Sequence, residues 1–363
     1  MNKLKLILLV VIFSLPIVSF AEDVEFKIQY AVQQMDNGKI DESKSILEDI
    51  LLKDPKHYVA NYEMAYLLNM TGRYDEALKY LDKIKKSKER TDQYYQLLGI
   101  VYDYMGDPAK SIKAFKDGLK KFPKSGPLHV ELGMMYQKAE DNEKALECYE
   151  NGILADPMFP SNYLRAALLL MTSSEPVWGL MYGEIFMNLE PDTQRARTVG
   201  QYLYAVLKSK TEMSDSGFKA KLTNENNMQF DSKTFKFYMP FPLFYQTNYE
   251  LAGKKAIEDG LKNLSLSTIA KIHEYQMTLG KESYKEEYGD PLFEYIMKIQ
   301  DAGFMEEYCM SLYKSGDLAE FDEWLTTHKD RYNQFLEWRR NNKLELTPSH
   351  CFSRLTCAPV SLH

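Results

Sequence analysis

The stretch Tyr58–Thr91, YVANYEMAYLLNMTGRYDEALKYLDKIKKSKERT, decides how the chain is read. It divides at Gly72 into the two helices of a hairpin, with small Ala65 and Ala77 where those helices must approach closely. The glycine supplies the left-handed backbone that ends the first helix. Stepping outward by 34 residues recovers the same landmarks: Gly38, Gly72 and Gly106; Ala31, Ala65, Gly99 and Gly133; Ser43, Ala77, Ser111 and Ala145. Pro55, Pro123, Pro157 and Pro191 recur at the same interval, with Glu89 in the lapsed place, and a proline there stops the second helix. The period predicts a helical repeat array.

Within the quoted stretch, Ala65, Leu68, Gly72, Tyr74, Ala77 and Leu81 stand where the tetratricopeptide repeat family places them, and the stretch resembles that family. Counted from this frame, four copies occupy 24–57, 58–91, 92–125 and 126–159, with Glu140 in place of the turn glycine in the last. A degenerate fifth copy, 160–193, keeps Ala167, Gly179 and Pro191 but has Ser174 at the turn and Gly183 where a bulky residue is usual. Residues 194–210 read as a capping helix through Val199, Tyr202, Leu203, Val206 and Leu207. The resemblance covers about half of the chain. It implies an all-α fold: a right-handed solenoid of antiparallel helix hairpins over 22–210, followed by a smaller carboxy-terminal all-helical unit. Such a hairpin cannot bury its apolar face alone, so about three stacked copies are the minimum for stability.

Beyond the array the pattern changes. From Thr211 to Gln229 periodicity disappears, with Ser214, Asp215, Ser216 and Gly217 and then Asn224, Asn226 and Asn227, which reads as a loop or hinge. Phe230, Phe235, Phe237, Tyr238, Phe241, Phe244, Tyr245 and Tyr249 follow, interrupted by Pro240 and Pro242, so an extended or turned segment is expected up to 250. These rings are expected to pack onto the helices rather than form an exposed strip. Helical patterns return over Leu264–Leu279, Pro291–Ile299, Phe304–Lys314 and Leu318–Arg340, giving a helical unit over 251–347 that lacks the spaced small residues of the repeats. Residues 348–363 read as an aperiodic tail, a disordered appendage.

Lys3 and Lys5, the apolar run Leu6–Leu15 and Ser19-Phe20-Ala21 read as a secretory leader over 1–21, too short and wrongly flanked to span a membrane. The expected address is therefore exported, periplasmic in a Gram-negative bacterium or else secreted, with no stable membrane insertion. The 363 residues, 45% hydrophobic and 27% charged with net charge −7, leave room for two structural units and argue against nucleic acid as a partner. The basic run Lys83, Lys85, Lys86, Lys88 and Arg90 falls at a helix end, where cations complement the dipole. Cys148 and Cys309 lie in helical patterns as small apolar residues, while Cys351 and Cys357 sit in the tail, where export would let them pair.

No catalytic, cofactor or metal signature stands out. The histidines at 57, 129, 273, 328, 350 and 363 are scattered, and there is no glycine-rich phosphate loop, dinucleotide fingerprint, serine elbow or paired-cysteine motif. His273 beside Glu274 points about 100 degrees away from it on a helix. A non-catalytic protein without cofactor or metal is expected.

In the resembled family the first helix of each hairpin lines a concave groove. Carried over residue by residue, the groove positions are Ile28, Val32 and Met35; Tyr62, Tyr66 and Asn69; Gln93, Gln96, Ile100, Asp103 and Tyr104; Val130, Met134 and Gln137; and Arg165, Leu168 and Met171. The Lys, Arg and Asn cluster that clamps a peptide carboxylate is absent, because only Asn69 and Arg165 have that chemistry and they lie three repeats apart. Tyr, Met, Ile and Val suit a helix or an extended peptide. The chain therefore reads as an envelope adaptor for a protein or peptide partner, with self-association through the groove as a variant. The alternative is an envelope enzyme or glycan-binding protein using the aromatic segment with Glu250, Glu258 and Glu274.

Overall fold

The computed structural model describes residues 15–215, 217–224, 228–232, 236–283, 290–357 and 360–362, with backbone only at 15–22, 229–231, 236–238, 281–283 and 360–362. The expected leader therefore lies mostly outside the described residues. The chain is all-α in class and forms two compact units, one up to Pro123 and one from Lys124 onward.

The first unit holds three hairpins: α1 (Leu15–Asp36) with α2 (Ile40–Lys53), α3 (Tyr58–Met70) with α4 (Tyr74–Ile84), and α5 (Asp92–Tyr104) with α6 (Pro108–Leu119). Each turn is made the same way. Gly38, Gly72 and Gly106 take φ of 76°, 75° and 77°. The next amide then reaches back five residues: Lys39 to the Gln34 carbonyl, Arg73 to Leu68 and Asp107 to Tyr102. That satisfies a carbonyl the helix end would leave open. Ala31, Ala65 and Ala77 are wholly buried between the paired helices, with Leu47, Met64, Leu68, Leu81 and Phe115 around them.

The second unit begins with two more hairpins, α7 (Gly126–Lys138) with α8 (Asn142–Ala155) and α9 (Pro160–Met171) with α10 (Pro176–Leu189). Glu140 replaces glycine at the first turn yet takes φ 60°, and Asp141 still donates back to the Tyr136 carbonyl. In the second turn Ser173 does the work with its side chain, donating to the Leu170 carbonyl and accepting from the Glu175 amide. Gly183 is explained by contact: a Cβ there would strike Met171 at 2.5 Å and approach Leu203 and Val199 of α11 (Gln194–Ser209).

α11 occupies the predicted span, but its outer side is covered. A Cβ on Gly200 would sit 2.8 Å from the Leu312 carbonyl. The expected loop at 211–229 instead contains an antiparallel hairpin, β1 (Thr211–Ser214) with β2 (Gly217–Ala220). β3 (Gln229–Asp231), β4 (Lys236–Met239) and β5 (Val360–Leu362) form a second small antiparallel sheet in that order. The extended reading of 230–250 fails at Phe241. There α12 (Phe241–Glu258) begins, with Pro242 in its first turn, where the missing N–H has no helical partner to lose. α13 (Leu266–Ser283), α14 (Pro291–Asp301), α15 (Met305–Tyr313), a 3-10 turn at Lys314–Gly316 and α16 (Leu318–Asn341) complete the unit.

One apolar core runs from Ala145 to Phe352, which is why the compact units divide at 123 rather than near 210. α10 lies at its centre, buried at every residue from Pro176 to Phe186, and a helix apolar on all sides needs neighbours on all sides. The aromatic segment supplies some of them: Phe241, Tyr245 and Tyr249 are buried, as the packing reading expected. The rings of Phe230, Phe235, Phe237 and Tyr238 lie outside the described side chains. The tail reading is also overturned, because Phe352 and Ser353 are buried in this core.

Candidate functional site

The first unit brings Val32, Tyr62, Tyr66, Asn69, Gln96, Ile100 and Asp103 onto the neighbouring helices α1, α3 and α5. Tyr58, Tyr62 and Tyr66 recur every four residues along α3, so they share one face. Tyr66 is 42% exposed, whereas Val32, Tyr62, Gln96, Ile100 and Asp103 are half-buried. Burial holds the Tyr62 hydroxyl above its ordinary value, with Glu63 next in effect. Asn69 is partly buried, and its Oδ1 has no hydrogen-bond partner among the described residues. Ile28, by contrast, is 3% exposed and belongs to the core of α1 and α2.

This face is acidic as well as aromatic. Burial, and then the charge of Asp36 at the end of α1, push the Glu63 carboxyl on α3 up to about 7. The Glu63 charge acts on the Tyr62 hydroxyl and Asp103 lies on α5, while Arg90 is a cation that acts on Tyr58. The sequence pattern missed Glu63 because it falls outside the inherited groove positions. Its signal is the carboxylate at the close of the preceding first helix, Asp36, one hairpin away.

A cavity of about 920 Å³ lies elsewhere in the first unit, between α1 and the end of α2. Phe26, Tyr30, Ile46 and Leu52 line it together with Asp23, Glu25, Asp49 and Asp54.

In the second unit Val130 is 7% exposed and packs inward. Met134 and Arg165 are half-buried, and the Gln137 carbonyl oxygen accepts from the Tyr149 hydroxyl at 2.9 Å, so this amide is already engaged.

The residues of the alternative reading do not converge on an acid–base pair. Glu250 accepts from the Ala220 amide at 3.1 Å, Glu274 pairs with Lys271 at 2.8 Å, and Glu258 is exposed. His273 is buried away from Glu274. Its Nδ1 meets the Tyr313 hydroxyl at 2.9 Å, and its Nε2 lies 3.4 Å from Glu184, which also accepts from Tyr308 at 2.6 Å. Among the described residues no three His, Cys, Asp or Glu side chains are grouped to hold a metal ion, and no helix is long and apolar enough to cross a membrane.

Residues 34–100 match a model of the tetratricopeptide repeat, and residues 92–120 and 127–157 match a second tetratricopeptide repeat model. The chain thus carries tetratricopeptide repeats in its first half. Similar solved structures include a thermophilic tetratricopeptide-repeat protein of Thermus thermophilus, 18% identical, covering 50% of this chain and 98% of its own, with TM-score 0.43. Pseudomonas aeruginosa pilF is 19% identical over 51% of this chain and 85% of its own, with TM-score 0.45. MamA is 18% identical over 44% and 94%, with TM-score 0.38. No protein of curated function matches the sequence.

Proposed function

We propose that the protein is a non-catalytic adaptor of the cell envelope that binds a partner helix or peptide along α1, α3 and α5. The supporting observation is Tyr66, a large ring 42% exposed one helical turn from half-buried Tyr62, with Glu63 and Asp36 acting on each other between α3 and α1 and with Ile100 and Asp103 on neighbouring α5. Tyrosines offer wide contact at little conformational cost, and carboxylates favour a ligand that presents lysine or arginine among its apolar anchors. A basic amphipathic segment is the partner this chemistry fits. Export, suggested by the leader-like first 21 residues, would place that partner in the periplasm or outside the cell.

The test is a crosslinking pull-down from the native envelope with the wild type and with Tyr62→Ala/Tyr66→Ala, each checked for unchanged helicity by circular dichroism. A protein enriched by the wild type and lost with the variant supports the reading. Equal recovery from both removes the groove from consideration.

A further inference from the structure

The segment that follows α16 is seated on the second unit by a compact set of side-chain contacts. After α16 the chain runs as a strap without helix from Leu344 to Cys357, crossing α8, α10 and α14. Phe352 is 4% exposed and inserts among three rings, with centroids 5.6 Å from Phe241, 5.8 Å from Trp178 and 5.9 Å from Tyr182. Two residues on, Arg354 Nε and Nη2 donate to the two oxygens of Glu150 at 2.8 and 2.9 Å. The Arg354 amide donates to the Tyr182 hydroxyl at 2.8 Å, and that hydroxyl donates in turn to Glu150 at 3.0 Å. Between them Ser353 is wholly buried, and its carbonyl and hydroxyl accept the amides of the turn that follows.

We infer that the outer face of α8 and α10 is a peptide-binding slot that reads an aromatic residue, a small residue and an arginine, and that its resident ligand is the chain's own strap. Glu150 is 0% exposed, so removing the guanidinium would leave a carboxylate buried without its countercharge, and the slot therefore demands a cation. The forked, two-point geometry selects arginine over lysine. Ser353 is wholly buried between Phe352 and Arg354, so the slot takes a small residue at that place. Around residues 352–354 the contact is made by side chains and the Arg354 amide, with the Leu346 amide on Met158 Sδ before them and the β5–β4 pairing after, all from an extended segment rather than from a helix of the repeat framework. Such a segment can be separated from the framework and presented again from solution.

The experiment starts from the intact folded chain. A protease site is placed after exposed Lys343, and the purified protein is cut there, leaving the strap held by contacts alone. A fluorescein-labelled peptide of residues 344–363 is then offered, and exchange is followed by anisotropy. The expected result is saturable exchange, competed by the unlabelled native peptide. A Leu355→Ala peptide, altered at an exposed position, competes equally well. Peptides with Phe352→Ala or Arg354→Gln require at least about tenfold more, the factor that about 1.4 kcal/mol of lost contact gives. Failure of the labelled peptide to bind the cut protein overturns the proposal. So does equal competition by the Phe352→Ala and Arg354→Gln peptides. Circular dichroism and tryptophan fluorescence unchanged after the cut show that the cut protein is still folded, and the substitutions, being in the peptide, cannot disturb it.

Discussion

Asp290 opens α14 while buried in the carboxy-terminal core, and its replacement by asparagine should change the pH dependence of that unit in a defined way. Its Oδ1 accepts the Leu292 amide at 2.7 Å, the usual service of an N-cap. Burial nonetheless pushes the carboxyl from 3.8 up to about 7. The raised value means that the folded state holds the proton after the unfolded chain has released it. Stability is then full below about pH 4 and falls as pH rises toward 7, where the carboxylate must be charged in the core. Three units at about 1.4 kcal/mol each make the loss about 4 kcal/mol by pH 8. Asparagine caps equally well and carries no charge, so Asp290→Asn should match the wild type at pH 4 and exceed it by up to about 4 kcal/mol at pH 8. All three tryptophans, Trp178, Trp324 and Trp338, lie in this unit, so urea unfolding followed by their fluorescence reads it selectively. Other carboxylates titrate in the same range, and subtracting the two curves removes them. A difference that stays constant between pH 4 and 8 would refute the reasoning.

Gly99→Ala should destabilise the first unit, because the new Cβ would lie 2.3 Å from the Phe115 ring where ordinary contact begins near 3.4 Å. Overpacking costs about 1–3 kcal/mol and the helical gain from alanine returns about 0.5–1, so a net loss near 1 kcal/mol is expected in thermal melts. A rise in melting temperature would remove the close-approach explanation. Gly133→Ala, whose Cβ meets Tyr149 at 2.3 Å, should behave alike in the second unit. Glu63→Gln should stabilise the first unit by about 1–2 kcal/mol at pH 8 and by nothing at pH 4.5, since the raised carboxyl weakens the fold only once ionised and is partly screened by solvent. Far-UV circular dichroism of chemical unfolding at the two pH values decides it, and an equal effect at both would count against the burial of that charge.

What could be read from the sequence follows how local the determining physics is. The hairpins were legible because each depends on residues within one 34-residue period: a glycine that must take positive φ and a small residue where the helices touch. Even the departures kept the geometry, since Glu140 adopts the backbone the glycine would have taken. The start of α12 was not legible. Pro240 and Pro242 carry the same local signal whether they break a helix or begin one, and only the core that receives Phe241, Tyr245 and Tyr249 distinguishes the two. The strap was illegible for a stronger reason. Phe352 and Arg354 have no periodicity of their own, and their meaning resides in Trp178, Tyr182 and Glu150, some 170 to 200 residues earlier.

One position of the repeat shows how far the pattern alone can mislead. Counting by 34 residues, Glu48, Asp82, Lys116, Glu150 and Glu184 occupy the same place on the second helices. A polar residue there reads as a solvated outer face, and in the first unit it is one: Glu48, Asp82 and Lys116 are exposed. The last two are buried, because the carboxy-terminal helices and the strap cover the outer side of α8 and α10. A buried carboxylate is costly unless compensated, and each has gathered partners from far along the chain. Glu150 receives Arg354 and Tyr182, while Glu184 receives Tyr308 with His273 close by. Retaining the repeat's polar residue in a covered site makes the cover specific, because only a segment that brings the right donors can close over it. The second unit thus turns an ordinary surface position of the array into a buried carboxylate whose donors come from the carboxy-terminal half of the chain and, for Glu150, from Tyr182 as well.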